Sequence, residues 1–464
     1  MIAAPASGQG KTAITAALLR LLRQRGVEVA AAKVGPDYID PAFHAAASGR
    51  AAINLDPWAM SRAELARRLH ALGRDAEIVI IEAVMGLFDG SVRKPAGNDA
   101  SPLHGIGSSA DLAAMFGIPV LLVVDAAHSG QSAAAVVHGF ASLRPDVRIA
   151  GIILNRLGSP RHAQMLSTVI EEVSGLPVVG RFHRDERLQL PERHLGLVPA
   201  SEHPDLQRWL DAAAEAAAEA VSLCRLANLA APLPATPADD DEPAASGSQP
   251  AGLPPLGQRI ALARDEAFCF AYPHLLQDWH ARGAEIHLFS PLADEAPPDA
   301  CDAIFLPGGY PELHAGRLAA ATRFRNGMRR AAERGALIYG ECGGFMVLGR
   351  GLVDNDGTAH AMCDLLPVTT SFADRHLHLG YRQLRHDSPL PFAANLRGHE
   401  FHYASTVWQD ANAPALFEAQ DAGGTPLPPM GLCIGRVMGS FAHVISAAPD
   451  ADMPGSATAT EPQP

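Results

Sequence analysis

The segment 7–12 (SGQGKT) constrains the fold of this chain most, because it lies between a short apolar start and an amphipathic stretch. In residues 12–25 apolar side chains recur at helical spacing, and Gly26 is typical of a helix end. A glycine-rich loop between a strand and a helix lets backbone N–H groups converge on an anion. The sequence therefore predicts a phosphate-binding loop in an α/β domain. The predicted inner face of the helix comprises Ile14, Ala17, Leu18, Leu21 and Leu22.

A lysine and a hydroxyl follow the glycines of this loop, and both suit phosphate chemistry. The lysine can reach the β- and γ-phosphates, and the threonine hydroxyl can hold Mg²⁺. The usual pattern G-x-x-x-x-G-K-[ST] begins with glycine, whereas this chain has Pro5 there. A chance match in an ordinary turn is the alternative, and the flanking strand and helix patterns argue against it. The predicted ATP- and phosphate-binding residues of the loop are Gly8, Gln9, Gly10, Lys11 and Thr12.

Charged side chains follow the next predicted strand. Lys33 closes that strand, and Asp37, Tyr38 and Asp40 come after it in a loop that contains two prolines. We expect these side chains near the phosphate loop, because the carboxyl ends of parallel strands lie at one edge of a sheet. The alternative is that the aspartates serve only as turn formers.

Two further carboxylates are expected at the same edge. Glu82 ends another predicted strand, and Asp89 follows in the segment 86–90 (GLFDG). Carboxylates beside a phosphate loop are natural ligands of Mg²⁺, because a hard cation prefers oxygen. We predict Thr12 and Glu82 as the metal ligands. A strand-end cap or a turn is again the alternative.

The segment 340–344 (GECGG) follows a predicted strand and precedes a helical pattern. This layout is a nucleophile elbow with cysteine in place of serine, because the glycines allow the tight turn that exposes the thiol of Cys342. A buried structural cysteine is the alternative. We predict His443 as the base that takes the thiol proton. The backbone N–H groups of Gly309 and Gly343 are predicted to form an oxyanion hole.

The segment 399–403 (HEFHY) contains two more histidines, and its role stays open. It fits a metal site or an ordinary strand with aromatic packing, and its spacing matches no zinc pattern well.

The chain of 464 residues predicts two or three domains. Residues 226–257 are rich in proline, alanine and aspartate, so we predict a flexible linker there and a disordered tail over 447–464. The predicted domains are then 1–225 and 258–446. Both contain short apolar runs that alternate with helical patterns, which indicates two doubly wound, mostly parallel α/β sheets. Strands are predicted over 27–33, 77–82, 119–125, 148–155, 177–180, 259–263, 285–289, 303–306 and 336–339.

Composition excludes several classes of partner. The formal net charge of −13 argues against nucleic acid. Without an apolar run of 18 residues or a signal peptide, we predict no membrane span. The six cysteines form no C-x-x-C pair and indicate reduced thiols in a cytoplasmic protein.

Together these motifs resemble the a,c-diamide synthases of corrin-ring biosynthesis over nearly the whole chain outside the linker and tail. The blocks that carry the resemblance are APASGQGKT, KVGPDYIDPAFH, EAVMGLFDG, LPERHLGLVPA, FLPGGYPELHAG, GECGGFMVLG, HLGYR and HEFHY. The segments 54–60 (NLDPWAM) and 153–162 (ILNRLGSPRH) are closer to the aerobic-pathway members, which act on cobalt-free hydrogenobyrinic acid. The anaerobic counterpart acts on cobyrinic acid, which already carries cobalt.

The resemblance implies a dethiobiotin synthetase-like P-loop domain and a C-terminal class I glutamine amidotransferase-like domain with a flavodoxin-like fold. It implies ATP with Mg²⁺, L-glutamine and a corrin as ligands, Lys33 as a stabiliser of an acyl phosphate, and Asn155 facing the adenine. The positions that it associates with substrate and metal are Asp37, Tyr38, Asp40, Glu82 and Asp89.

One position departs from the usual amidotransferase triad. That triad has a glutamate two residues after the histidine, and this chain has Ile445 there. The resemblance therefore implies a Cys342–His443 pair without a carboxylate. Family members often form dimers, which the residues themselves leave open.

Three other functions stay open. They are the cobyric acid synthase reaction, a partitioning or maturation ATPase, and a cysteine hydrolase with a vestigial ATP domain. The segment 36–41 (PDYIDP) weighs against the first, and the elbow at Cys342 against the second.

Overall fold

The structure is a computed structural model that describes residues 1–91, 103–193, 196–233 and 252–448. The chain forms two compact units. The first comprises the described residues of Met1–Trp58, Arg62–Pro250 and Cys269–Gln277, and the second comprises those of Ala59–Ser61, Ala251–Phe268 and Asp278–Pro464.

The first unit is built around a parallel sheet of seven strands, in the order β3-β2-β4-β1-β5-β6-β7. Its strands are β1 (Ile2–Ala3), β2 (Val29–Val34), β3 (Ile53–Leu55), β4 (Ile78–Glu82), β5 (Val120–Asp125), β6 (Ile149–Leu157) and β7 (Val178–His183), followed by the hairpin strands β8 (Glu192–Arg193) and β9 (Gly196–Leu197). Its helices are α1 (Lys11–Gln24), α2 (Asp40–Ser48), α3 (Arg62–Arg74), α4 (Ser109–Phe116), α5 (Ala133–Leu143), α6 (Pro160–Ser174), α7 (Leu206–Ala220) and α8 (Leu223–Leu229).

Helix α1 forms because its apolar residues recur on one face, and the five predicted inner-face residues are all buried. Gly26 follows it with a φ of +78°, the left-handed conformation that ends many helices. Strand β2 is buried along its whole length, as expected for the interior of a parallel sheet. These elements confirm the parallel α/β fold and bring the ends of β1, β2 and β4 together.

The second unit has a six-stranded sheet in the order β11-β10-β12-β13-β23-β22, in which β22 alone is antiparallel to its neighbour. Two further sheets, β15-β14-β16-β19 and β21-β20-β17-β18-β24, are mostly antiparallel. The strands are β10 (Arg259–Ala263), β11 (Glu285–Phe289), β12 (Ala303–Leu306), β13 (Leu337–Glu341), β14 (Gly351–Val353), β15 (Ala359–Ala361), β16 (Val368–Ser371), β17 (His378–Arg385), β18 (Asn395–His402), β19 (Ser405–Gln409), β20 (Phe417–Asp421), β21 (Pro426–Met430), β22 (Leu432–Ile434), β23 (Val437–Ser440) and β24 (His443–Ala447). The remaining helices in the described residues are α9 (Pro273–Ala281), α10 (Ala315–Ala320), α11 (Thr322–Glu333) and α12 (Gly343–Leu348).

All nine predicted strands are present, and β10, β11 and β12 have the predicted bounds. The antiparallel sheets after residue 350 were not predicted, because no helices separate their strands. Helix α8 includes residues 226–229, at the start of the predicted linker. At the end of that linker, Leu253 and Leu256 are buried. The linker residues 234–251 and the tail residues 449–464 lie outside the described residues. No helix in the part of the chain that the structure describes has both the length and the apolar character to cross a membrane.

We predict that replacing Gly344 by alanine destabilises the second unit. A Cβ there would lie 1.9 Å from the carbonyl oxygen of Leu306, so β12 and α12 would have to separate. Overpacking of this kind typically costs about 1–3 kcal/mol, and urea denaturation should show a lower midpoint. Gly316→Ala is the control, because Gly316 is exposed on α10 and its Cβ would lie 3.7 Å from the nearest atom, Cε1 of His360. An unchanged midpoint for Gly344→Ala would contradict this packing.

Candidate active sites

The loop between β1 and α1 has the backbone that an anion-binding loop requires. Gly8 and Gly10 adopt φ values of +77° and +89°, in the left-handed region that favours glycine. The Nζ of Lys11 donates hydrogen bonds to the carbonyls of Ala6 at 3.1 Å and Met85 at 2.7 Å. Burial, together with nearby Lys33, lowers the pKa of Lys11 to about 8. The predicted phosphate lysine therefore contacts both its own loop and the segment after β4.

Two amide side chains brace this loop. Gln9 Oε1 accepts a hydrogen bond from the backbone N–H of Asp125 at 2.8 Å. Asn155 Nδ2 donates to the carbonyl oxygen of Gln9 at 2.8 Å. Asn155 thus lies at the phosphate loop, next to Gly10, where an added Cβ would lie 2.4 Å from its Nδ2. Its predicted contact with adenine stays a prediction.

A buried lysine links the predicted carboxylates. The Nζ of Lys33 lies 2.6 Å from Asp40 Oδ2, 2.8 Å from Glu82 Oε1 and 3.9 Å from Asp37 Oδ2. The hydroxyl of Thr12 donates to Glu82 at 2.9 Å and to Asp40 at 3.2 Å. Burial alone would lower the pKa of Lys33, but Asp40 and Glu82 outweigh it and hold that pKa above its usual range. Five of the predicted residues therefore form one charged cluster.

The carboxylates of this cluster have different environments. Burial would raise the pKa of Glu82, but Lys33 and His44 outweigh it and hold that pKa below its usual range. Burial and the charge of Asp37 raise the pKa of Asp40 above its usual range. Glu82 is therefore the more firmly ionised of the two.

The loop after β2 is held by its own polar groups. Asp37 Oδ1 accepts from the backbone N–H of Ile39 at 2.8 Å and of Asp40 at 3.0 Å. Asn54 Nδ2 donates to the carbonyls of Gly35 at 2.9 Å and Asp37 at 2.7 Å. These bonds fix the direction in which Asp40 enters the cluster.

The predictions missed His44. Its Nε2 lies 2.6 Å from Glu82 Oε2, and both residues are fully buried. His44 lies four residues after Asp40 on α2, so both side chains are on the same face of that helix. This spacing is the signal in the sequence that could have identified it.

Tyr38 and Asp89 contact other parts of the first unit. The Tyr38 ring stacks on Phe270 and Tyr272 within the first unit, with ring centroids 5.2 and 4.3 Å away. Asp89 Oδ2 accepts from the backbone N–H of Gly86 at 2.8 Å and closes a turn. Asp89 also acts on Lys11 through its charge.

The cluster lies in a cleft of about 920 Å³ that begins at the phosphate loop. The far side of the cleft is lined by Phe182, His183, Arg184, Leu188 and Leu197, which belong to β7 and the segments after it. This volume lies within the usual range for small-molecule sites. The oxygen donors of Thr12 and Glu82 fit Mg²⁺, which prefers hydroxyl, carboxylate and phosphate oxygens.

In the second unit, Cys342 occupies a strained turn between β13 and α12. Its φ of 47° and ψ of −105° are unusual for a residue other than glycine. Its backbone N–H donates to the carbonyl of Ser440 at 2.8 Å, which fastens the turn to β23. The side chain is 5% exposed. This is the geometry of the predicted nucleophile elbow.

His443 lies where the chain passes from one sheet to another. Strand β23 is in the mostly parallel sheet, whereas β24, which begins at His443, is in the antiparallel sheet next to β18. A Cβ on Gly308 would lie 2.4 Å from His443 Cε1 and 3.3 Å from Cys342 Cβ, so the imidazole and the thiol converge on this glycine. Burial lowers the pKa of His443, but hydrogen bonds to Cys342 and Glu341 outweigh it and raise that pKa to about 9.

The structure places a carboxylate, that of Glu341, beside the imidazole that the sequence predicted to have none. Ile445 is buried and apolar, as its sequence position indicated. However, Glu341 Oε2 lies 3.5 Å from His443 Nδ1, and Glu341 is 2% exposed. The sequence motif contained this residue, but the familiar spacing of the triad directed attention to Ile445.

The predicted oxyanion-hole residues are adjacent in space. A Cβ on Gly343 would lie 3.1 Å from the backbone nitrogen of Gly309. This proximity is compatible with two N–H groups at one oxygen, and the role itself stays a prediction.

The segment 399–403 lies on β18, and a polar cluster forms at its end. His378, Glu400 and His402 place one potential ligand atom each within 4.8 Å of one another. Arg382 forms an ion pair with Glu400 at 2.7 Å, and the His402 ring stacks on His378 and Phe441. These contacts favour the packed strand over the metal site, since the cluster has charge partners without an ion.

Two family models match the two halves of the chain. Residues 1–198 match the CobQ/CobB/MinD/ParA nucleotide binding domain, and residues 259–451 match the CobB/CobQ-like glutamine amidotransferase domain. A hydrogenobyrinate a,c-diamide synthase of Sinorhizobium sp is 50% identical over 97% of this chain and 98% of its own length. Proteins of the same name from Brucella abortus and Rhizobium meliloti are 52% and 50% identical, each over 96% of this chain and 98% of their own length.

We predict that Lys33→Met destabilises the first unit strongly. The substitution leaves Asp40 and Glu82 facing each other without their cation, and breaking a buried ion pair costs about 3–5 kcal/mol. Lys33 is the largest influence that lowers the pKa of Glu82, so that pKa rises without it, and the loss of stability should shrink as the pH falls and the carboxylates protonate. Urea denaturation at several pH values measures both effects.

Arg20→Met is the matched control for that substitution. It breaks the ion pair of Arg20 with half-exposed Asp211, at 2.7 Å. Exposed pairs contribute less than about 1 kcal/mol. An equal loss in the free energy of unfolding for the two variants would contradict the role of Lys33 as the partner of the buried carboxylates. A loss for Lys33→Met that does not depend on pH would contradict it too.

Proposed function

Since this chain belongs to the hydrogenobyrinate a,c-diamide synthase family, we propose that it amidates the a and c acetate carboxylates of hydrogenobyrinic acid. Glutamine is the nitrogen donor, and ATP activates each carboxylate. The enzyme is a glutamine-dependent carbon–nitrogen ligase of cobalamin biosynthesis.

One observation carries this proposal: a single chain combines two complementary sites. The first unit has a phosphate loop beside buried Lys33, and the second has the strained Cys342 next to an imidazole. The first site suits transfer of phosphate to a carboxylate, and the second suits release of ammonia from an amide. A simple ATPase or a simple cysteine hydrolase needs only one of them.

In the first half-reaction a corrin carboxylate attacks the γ-phosphate of ATP, and ADP leaves. Lys11 and Lys33 supply positive charge where negative charge accumulates on the phosphate oxygens. Thr12 and Glu82 would hold Mg²⁺, which supplies further charge neutralisation when bound. His44 keeps the Glu82 carboxylate in place. The product is an acyl phosphate, in which phosphate is a far better leaving group than oxide.

In the second half-reaction the thiol proton of Cys342 moves to His443, and the sulfur attacks the side-chain amide carbon of glutamine. The backbone N–H groups of Gly309 and Gly343 stabilise the oxyanion. His443 returns the proton to the departing nitrogen, so ammonia leaves and a thioester remains. Water then hydrolyses the thioester to glutamate and restores the thiol.

Ammonia attacks the acyl phosphate, a carbon–nitrogen bond forms, and phosphate leaves. The cycle repeats on the second carboxylate. We assign Asp37, Tyr38, Asp40 and Asp89 to the region that receives the corrin. We also assign Asn155 to the nucleotide.

The alternatives are not favoured. Cobyrinic acid would be the substrate of an anaerobic-pathway enzyme, whereas the similar proteins from Sinorhizobium sp and Brucella abortus are named for hydrogenobyrinate. A partitioning ATPase has no use for the thiol and imidazole of the second unit. We infer a cytoplasmic location because the chemistry requires ATP and a reduced thiol. Homodimer formation stays a prediction.

We predict that Cys342→Ala abolishes synthesis from glutamine but retains synthesis from added ammonium. The substitution removes the nucleophile and leaves the first unit intact. Cys363→Ala is the control, because Cys363 is also a buried thiol and should retain glutamine use. Loss of both nitrogen sources in Cys342→Ala would contradict this division of labour.

We further predict that hydrogenobyrinic acid gains two amides when incubated with enzyme, ATP, Mg²⁺ and glutamine. Cobyrinic acid should be converted more slowly under the same conditions. Mass spectrometry of both macrocycles counts the amides. Four added amides would identify a cobyric acid synthase, and glutamine-independent ATP hydrolysis without corrin conversion would identify an ATPase.

A further inference from the structure

We propose that Glu341 positions the imidazole of the glutaminase site: its carboxylate holds His443 through Nδ1 and stabilises the imidazolium that forms when Nε2 takes the thiol proton. This role rests on the proposed function, in which Cys342 attacks glutamine. It gives the site a carboxylate from the residue before the nucleophile instead of from the position of Ile445.

The carboxylate of Glu341 is fixed by two donors. Its Oε1 accepts a hydrogen bond from the hydroxyl of Tyr339 at 3.1 Å and another from the backbone N–H of Val444 at 3.0 Å. Its Oε2 is then directed to His443 Nδ1 at 3.5 Å. Because Val444 directly follows His443, the carboxylate is tied to the same piece of backbone that carries the imidazole. A shift of one therefore moves the other.

The two ring nitrogens of His443 face different partners. The Nδ1 edge faces Glu341, whereas a Cβ added to Gly308 would lie 3.1 Å from Nε2 and 3.3 Å from Cys342 Cβ. A carboxylate on Nδ1 favours the tautomer with the proton on that nitrogen. Nε2 then has a lone pair available for the proton of the thiol.

Glu341 and several other titratable groups are packed around His443, and the Glu341 carboxylate lies 3.5 Å from Nδ1. His399 on β18 is paired opposite His443, and burial lowers the pKa of His399 to about 3, so it is neutral at pH 7. Tyr339 is the hydroxyl partner of Glu341, and burial raises its pKa well above the usual range. Cys342 is a further titratable neighbour, and its hydrogen bond raises the pKa of His443. Glu341 and Cys342 raise the pKa of His443 to about 9, which agrees with an imidazolium between these two acidic side chains.

The test compares Glu341→Gln with the wild type in steady-state glutaminase kinetics. The substitution preserves size and removes the charge. We expect kcat for glutamine to fall by about 100-fold or more, since loss of the orienting carboxylate in a Ser-His-Asp protease triad costs about 10⁴. We expect KM for glutamine to change little. Synthesis from ammonium should be retained.

The pH profile separates positioning from a structural role. In the wild type, glutaminase activity should fall as the pH rises through about 9, where His443 loses its proton. In Glu341→Gln this alkaline limb should move toward the ordinary range of histidine, about 6.5. Glu341→Asp, which keeps the charge, should recover part of kcat and of the shift. Tyr339→Phe keeps the carboxylate and should leave the limb in place.

Wild-type kcat and an unmoved alkaline limb in Glu341→Gln would overturn the proposal, as would an equal loss of ammonium-supported synthesis. If Glu341→Gln does not fold, the steady-state pH profile of Glu341→Asp decides, because its shorter side chain withdraws the carboxylate from Nδ1 of His443. A lower kcat and an alkaline limb below that of the wild type support the proposal, and wild-type values of both oppose it. Glutamine use by Cys342→Ala would instead refute the proposed function.

Discussion

A buried charge must have a partner, and this constraint organises both sites. Lys33 is 3% exposed, and its ammonium is stable there because Asp40 and Glu82 surround it. His443 is buried to the same degree and has Glu341 and Cys342 beside it. In each unit the cation and the glutamate beside it come from different strands, so their contacts fix the positions of those strands relative to one another. The reactive geometry therefore depends on the same contacts that keep the interior neutral.

Much of the first site was predictable because it follows from topology. Parallel strands place their carboxyl ends at one edge, so residues that follow β1, β2 and β4 had to converge. Lys33, Asp40 and Glu82 are at those ends, and they form the cluster. His44 was not predicted, because a histidine on a helix is usually uninformative. Its meaning appears only when Glu82, distant in sequence, is found to face α2.

The antiparallel part of the second unit was harder to predict. Strand β23 completes the parallel sheet, yet it lies far along the chain from β13. Between them, the segment after α12 contains short strands without intervening helices, so its sequence pattern does not reveal which strands belong to the parallel sheet. His443 therefore stood out only by its position. The change from one sheet to the next, which brings it to the thiol, is a tertiary property.

Glu341 was overlooked for a reason that also explains how it works. Successive side chains of a regular strand point to opposite faces, so Glu341 and Cys342 should not be able to face one imidazole. The left-handed φ of 47° at Cys342 breaks that alternation, and both side chains then turn toward His443. A conformation of this kind typically costs about 1–3 kcal/mol and persists only where its surroundings enforce it. The close packing of Gly344 against Leu306 and the hydrogen bond from Cys342 to Ser440 supply that enforcement. The strain of the elbow therefore does more than expose the thiol, because it also admits the preceding carboxylate to the site.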